Sequence, residues 1–426
     1  MIPNRIRKTW VLFNVALLLV LIGGVLPGAL EAVFIDREAE VDVGIPNHAE
    51  AQYRYIRNHL EGSFYGYSSH QTLVPEFDII ALSHMASGMM NLASVSPARR
   101  EELAPLTLQI LERALTMAPY ERDPREATAL GQHNLYHSHL NLILGVHRHV
   151  SGSKDYDDLH LRISKHLRAR SLADGDFHAR SYADYAPGKW PADQSVTLAS
   201  LHVYDRIHGT SLGAEPIRGW LGEMARRTDP ALGLHHSALS DSLWYAKIPR
   251  GCALSWTILY MAQFAPEEAA RLYARYQENY ATSVLGFGGF REWPPGTSHR
   301  SDVDSGPIIF GLGMAATGLG IGPARIFGDG STYAASMRSA TVFGVPSRGL
   351  VSGRRYRLAP LIGEAMLFNG TTARVWFGEA PARVSQTPKA PAPVGAIIIV
   401  VLLVLVTLLP SWALYREFRP SPDRLY

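Results

Sequence analysis

Two stretches of this chain carry no charged residue at all: positions 9–30 and positions 390–415. Each is long enough to cross a hydrocarbon core of about 30 Å as a helix. Arg5, Arg7 and Lys8 precede the first run, and Arg416, Arg419 and Arg424 follow the second. The excess of cations outside both runs predicts cytoplasmic termini and a body on the far side of the membrane, in a periplasmic or equivalent space. Trp10, Trp412 and Tyr415 stand where interfacial aromatics belong. The first run exceeds the apolar region of a usual signal peptide and has no clean small-x-small site before Glu31, so it reads as a retained anchor. The expected organisation is a cytoplasmic tail at 1–8, an anchor at 9–32, a body at 45–380, a Pro-rich tether at 381–392, a second anchor at 393–415 and a cytoplasmic tail at 416–426.

A third uncharged run, "GPIIFGLGMAATGLGIGPA" at 306–324, is Gly-dense and lacks flanking cations. A helix enclosed on all sides within a protein reads this way, and a buried helix is expected there rather than a third crossing. The 41 Lys and Arg against 38 Asp and Glu are scattered, giving a net charge of +3 and no basic footprint for nucleic acid. The single cysteine, Cys252, excludes an intrachain disulfide and a cysteine-based zinc cage.

Between the anchors the apolar periodicity is helical, and alternating strand signals are nearly absent. Segments such as "ALSHMASGMMNLA" and "CALSWTILYMAQF" are apolar with small residues; each is followed by a segment with charges at helical spacing, such as "EELAPLTLQILERAL" and "PEEAARLYARYQENY". This contrast predicts inner helices touched on all sides and outer helices with one wet face. Inner helices begin near 76, 131, 191, 250 and 304, a repeat of about 55 to 60 residues, the period of a helical hairpin. Helices near 47–60 and 359–378 would complete a sixth pair. The expected fold class is all-α: a closed (α/α)6-type ring of helical hairpins flanked by one transmembrane helix at each end, with an open helical solenoid as the alternative. The connections leading into the inner helices are long, and those leaving them are short, so a ring would gather the elaborate loops at one mouth. The positive dipole ends of the inner helices would converge there.

Three stretches, "HNLYHSHLNLILGVHRHVSGSKDYDDLHLRISKHL", "KWPADQSVTLASLHVYDRIHG" and "DVDSGPIIFGLGMAATGLGIGPARIFGDG", resemble the aromatic-plus-acid lead-in to inner helices of α/α-toroid proteins. The pattern over residues 45–380 is similar to that of the six-hairpin glycosidase-like group and of the linalool dehydratase/isomerase-like domain. The resemblance implies six hairpins around an axial pocket and carries no diagnostic catalytic string. The dehydratase/isomerase site is associated with paired cysteines, whereas this chain has Cys252 alone.

Asp78, Asp193, Asp241, Glu292, Asp302 and Asp304 fall in or just beyond the elaborate loops. Acid–base catalysis needs two such groups in different environments, one raised by burial and one left ionised. Asp304 and Asp193 are the candidate acid and base, with Glu292 tuning one of them and His137 an auxiliary proton donor. As a bland alternative, Asp304 and Asp193 suit the first turns of helices as caps. Trp190, Trp244, Tyr245, Trp293, Tyr185 and Tyr67 are candidate platforms for a ligand, and Asp302 and Asp241 candidate hydrogen-bonding partners; the same aromatics could simply pin loops. His133 and His137 stand at i, i+4, but Asn134 occupies the position a metalloprotease gives to Glu, and no metal or cofactor is expected. His70 and His299 are ambiguous. Cys252 stands near a helix start, where a thiol pKa can fall. The glycines at 311, 313, 318, 320 and 322 suit close helix packing, and "NGT" at Asn369 matches a glycosylation acceptor by pattern. The expected function is an acid–base enzyme, a hydrolase or lyase, acting on a saccharide or other hydroxyl-rich small molecule. Two alternatives are a hydro-lyase on an apolar alcohol and a non-catalytic binding or scaffold module of the cell envelope. Oligomeric state is not legible.

Overall fold

The computed structural model describes residues 4–61, 76–117, 123–127, 129–182, 185, 188–297, 299–349, 353–379, 381–383 and 389–418. Tyr67 and His70 lie outside the described residues.

The protein is predominantly helical. An N-terminal apolar segment runs as α1 (Asn4–Val20), one π turn (Leu21–Val25) and α2 (Leu26–Phe34). Then follow α3 (Asn47–Glu61), α4 (Glu76–Val95), α5 (Arg100–Leu115), α6 (Asn134–Ser151), α7 (Asp157–Leu172), α8 (Pro191–His208), α9 (Ala214–Arg226), α10 (Gly251–Phe264), α11 (Pro266–Tyr280), α12 (Met314–Ile326), α13 (Gly330–Gly344) and α14 (Leu361–Thr372). The chain closes with α15 (Val394–Phe418). Four short antiparallel hairpins decorate the connections: β1 (Thr228–Asp229) with β2 (Leu234–His235), β3 (Ala281–Val284) with β4 (Phe287–Phe290), β5 (Ile308–Ile309) with β6 (Leu312–Gly313), and β7 (Pro346–Gly349) with β8 (Gly353–Tyr356).

The even-numbered helices from α4 to α14 are the enclosed ones. Every residue of α4 from Ile79 to Ala93 is buried, whereas α5 buries Leu103, Leu106, Thr107, Ile110, Leu111 and Ala114, a single stripe at helical spacing. Helix α4 packs on α6, α6 on α8, α8 on α10, α10 on α12, α12 on α14, and α14 on α4. The odd-numbered helices pack outside them, with α3 beside α14.

Small residues let these enclosed helices approach. A Cβ at Gly88 of α4 would stand 2.3 Å from the Phe368 ring of α14, and one at Gly145 of α6 would stand 2.6 Å from Val203 of α8. Polar side chains on the same faces satisfy one another. Asn91 donates to Asn369 Oδ1 at 3.0 Å, Ser83 Oγ meets His139 Nδ1 at 2.6 Å, and Asn141 donates to Ser200 Oγ at 3.0 Å. Gly88→Ala therefore overpacks the α4–α14 seam, at a cost of ~1–3 kcal/mol, readable as a lower thermal midpoint with an unchanged helical circular-dichroism signal before melting.

Asn369 is buried and engaged with Asn91 and His84, so the glycosylation pattern there is inaccessible in the folded chain. The run at 306–324 is corrected in part. Only Met314–Ile326 is helical, because Phe310 and Gly311 adopt positive φ (51° and 82°) and turn β5 back onto β6 first. Asp304 is thus ten residues ahead of α12 and does not cap it.

Two helical segments, Thr9–Phe34 and Val394–Trp412, are long and apolar enough to cross a membrane. They pack on each other, α15 against α1 and α2. The N-terminal one is tied to the body by Glu31 of α2, which accepts from Arg354 at 2.6 and 2.9 Å and also pairs with Arg37.

Candidate functional site

One cavity of about 670 Å³ opens at the N-terminal ends of the enclosed helices. All six contribute residues from their starts: Glu76 and Phe77 of α4, Leu135 of α6, Asp193 of α8, Cys252 of α10, Met314 of α12 and Ile362 of α14. The long connections ahead of them supply Tyr182, Tyr185, Trp190, Tyr245, Arg250 and Asp304.

Asp193 sits in the first turn of α8, behind Pro191, whose missing N–H costs nothing at that position. It makes no cap; instead Oδ2 accepts from Ser181 Oγ at 2.5 Å. Asp193 is half-buried and lines the cavity. Burial pushes its pKa up to about 7, against the pull of Ser181, and the negative charges of Asp304 and Glu76 push in the same direction. Asp304 is also raised, first by burial and then by Asp302 and Glu76, while Arg250 holds it down. Asp304 thus acts on Asp193 through its charge, and Glu76 acts on both. Tyr182 Oη reaches Glu76 Oε1 at 3.4 Å.

Aromatic rings surround these carboxylates. Tyr185 stacks on Trp190 at 5.8 Å with planes 7° apart, Tyr182 meets Trp190 edge-on at 6.0 Å, and the Trp190 indole N–H donates to Tyr245 Oη at 3.4 Å.

Arg250 holds the 290–307 stretch against the start of α10. Its Nε donates to Glu292 Oε1 and its Nη2 to Asp302 Oδ1, both at 2.8 Å. The rings of Tyr245 and Trp293 lie 5.1 and 5.0 Å from the guanidinium carbon. Glu292 also accepts from the Cys252 N–H at 3.0 Å and from Cys252 Sγ at 3.1 Å. Asp302 in turn accepts from the Ser305 N–H at 2.9 Å, which fixes the turn that carries Asp304. Burial raises Asp302, but Arg250 and Ser305 outweigh it and leave its pKa below the usual value.

No family model matches the chain. Asp193, Asp304, Trp190, Tyr185 and Tyr245 line the cavity together. Glu292 lies wholly buried behind it, paired with Arg250. Asp302 is part of the same clamp. Trp293 is buried against Arg250, and Trp244 is 64% exposed, packed on Tyr245, Trp293 and His299, so neither lines the cavity. Asp241 pairs with Lys247 at the surface. His137 is buried in α6 between the rings of Tyr136 and His166 and does not line the cavity. Cys252 is corrected: burial and the neighbouring Glu292 push its thiol well up, not down. Among the described residues no group of three or more His, Cys, Asp or Glu is placed to hold a metal ion.

Sequence reasoning passes over Glu76, Arg250 and Trp256, all of which line the cavity. It points instead to Asp78 on the same turn. Positions 76 and 78 are about 200° apart around a helix, so only one of them can face the axis. Glu76 opens α4, and its position at a helix start is the available signal.

Proposed function

We propose that this chain is a membrane-anchored α/α toroid with both termini in the cytoplasm and its body outside it, and that its axial cavity is an acid–base site for a hydroxyl-rich substrate. The closed order of contacts among the six enclosed helices supports the toroid over an open solenoid. The single observation that carries the activity is the presence of Asp193 and Asp304 in the wall of one aromatic-lined cavity, with the pKa of Asp193 raised to about 7.

In this reading Asp193 is the general acid and Asp304 the general base. For a glycosidic bond, the C–O bond breaks as Asp193 gives its proton to the leaving oxygen. A water molecule forms the new C–O bond at the anomeric carbon, and its proton passes to Asp304. Solvent then returns the proton from Asp304 to Asp193. Trp190 and Tyr245 offer flat faces to the sugar C–H surface, and Glu76 accepts from hydroxyls. The charge of Asp304 adds to the upward push of burial on Asp193, so Asp193 keeps its proton more tightly while Asp304 is ionised.

The test is to add methyl glycosides, oligosaccharides and terpene alcohols to the detergent-solubilised full chain and follow thermal stability, since a ligand that binds only the folded state raises the midpoint. A saccharide that stabilises wild type is then assayed for turnover. The rate falls as pH rises through about 7, where Asp193 loses the proton it must donate. Asp304→Asn that stays folded and turns over at full rate removes Asp304 from the mechanism. The apolar inner wall of Phe77, Ile80, Trp256, Met366 and Leu367 favours a second reading, a hydro-lyase on an apolar alcohol; there the terpene alcohols stabilise and the saccharides do not.

A further inference from the structure

The cavity does not end at the carboxylates. An arm of it passes between α12, α13 and α14, walled by Leu319, Ala340, Phe343, Leu358, Ile362 and Met366. Among the described residues this arm holds no ionisable side chain, and a mouth for water-borne sugars alone has no use for it.

Phe343, at the C-terminal end of α13, packs against the cluster of Ala32 and Val33 from α2 with Ala396 and Ile399 from α15. It also meets the Phe287 ring at 5.2 Å. The direction of the two apolar segments follows from their neighbours. Glu38 lies against Gly330 at the start of α13, and Gly28 lies against Thr341 and Pro346 at its end. Reading back from 38 to 28 therefore travels along α13 toward its C-terminus, and the rest of the apolar segment continues beyond. Helix α15 passes Val342 and Phe343 early and continues beside α1 and α2 in the same sense. The C-terminal end of α13 is also the end at which α14 begins, beside the starts of the other enclosed helices. Both segments thus leave the body on the side where the cavity opens. That rim exposes large apolar side chains: Leu358 at 71%, Val303 at 60% and Met314 at 39%, all three of which line the cavity. A rim of this composition facing water would be costly, and one facing the bilayer is not.

We propose that the substrate is an amphiphile drawn from the bilayer, with a hydroxylated head group and a long hydrocarbon tail. The head reaches Asp193 and Asp304, and the tail lies in the arm between α12, α13 and α14. This rests on the acid–base reading above and on the two apolar helices crossing a membrane. The arm supplies the tail with the apolar surface that it loses on leaving the lipid, and the rim spares it a passage through water.

The test uses the full chain in phosphatidylcholine–phosphatidylglycerol nanodiscs, with hexadecyl β-glucoside carrying a diazirine in its chain as the probe. Illumination followed by peptide mapping is expected to place label on Phe343, Ile362 or Met366 as well as on the apolar helices. Unlabelled hexadecyl glucoside competes this cavity label away, whereas methyl glucoside does not. Leu358→Glu, at an exposed position where the fold tolerates charge, reduces the cavity label several-fold, and Leu358→Phe restores it. Label confined to α1, α2 and α15 overturns the proposal, as does equal competition by methyl glucoside. If hexadecanol competes as well as the glucoside, the sugar head is not what binds; that overturns the hydroxyl-rich substrate of the reading above in favour of the apolar alcohol, while the lipid-facing arm survives.

Discussion

Arg250→Met destabilises the protein by ~3–5 kcal/mol, because it strips the partner from a carboxylate that has no route to water. Glu292 is wholly buried, and Arg250 supplies the only cation paired with it among the described residues. The loss is larger than for an ordinary core truncation of this length, since Asp302 and the Tyr245 and Trp293 rings are released from the same guanidinium. Urea unfolding of the detergent-solubilised chain measures it as a lower midpoint. Arg250→Met combined with Glu292→Leu recovers much of the loss, because the stranded charge goes too. If the single and double variants are equally unstable, Glu292 is not what Arg250 compensates. The expected consequence for the site is displacement of Asp304, whose turn is held through Asp302 and Ser305.

The second large effect separates stability from activity. Asp193→Asn lowers turnover by about 10²–10⁴-fold, the usual worth of a positioned acid, while raising stability at alkaline pH. The folded pKa of Asp193 is about 7, above the ordinary 3.8. A raised acid contributes stability that is fully present below the unfolded value and is lost as pH rises through the folded one. Above pH 7 wild type carries an enclosed charge that the amide does not. A tenfold change in proton affinity corresponds to about 1.4 kcal/mol, and water in the cavity screens part of the effect, so the variant is expected to gain ~1–3 kcal/mol near pH 8. The gain vanishes toward pH 4. A loss of stability at every pH would instead mark Asp193 as a purely structural residue whose contact with Ser181 matters more than its charge.

Much of the architecture was legible because it depends on periodicity. The two uncharged runs, the alternation of enclosed and half-wet helices, and the helix starts at 76, 191 and 251 all follow from which faces of a helix can meet water. The start of α12 was not legible. The apolar residues of 308–313 suit a helix as well as a hairpin, and only the positive φ at Phe310 and Gly311 decides between them. The site was legible by residue type and not by role. Asp193 and Asp304 were recognisable as acids in long connections. Glu292 and Asp302, equally acidic and in the same stretch, turn away to Arg250, some 40 to 50 residues earlier in the chain. Pairing across that distance leaves no local pattern. Trp244 and Trp293 show the same limit, since an aromatic that pins a loop and one that faces a ligand have the same neighbours in sequence.

Asp193 and Asp304 line one cavity, and the charge of Asp304 bears on the proton of Asp193. Infrared difference spectroscopy of the full chain, titrated from pH 4 to pH 9 with Asp193→Asn as the subtraction standard, reads the carboxylate of Asp193 without any substrate. Ionisation near pH 7 is expected in wild type, with a shift to lower pH in Asp304→Asn, where the neighbouring charge is gone. Ionisation near pH 4 in both proteins would contradict it.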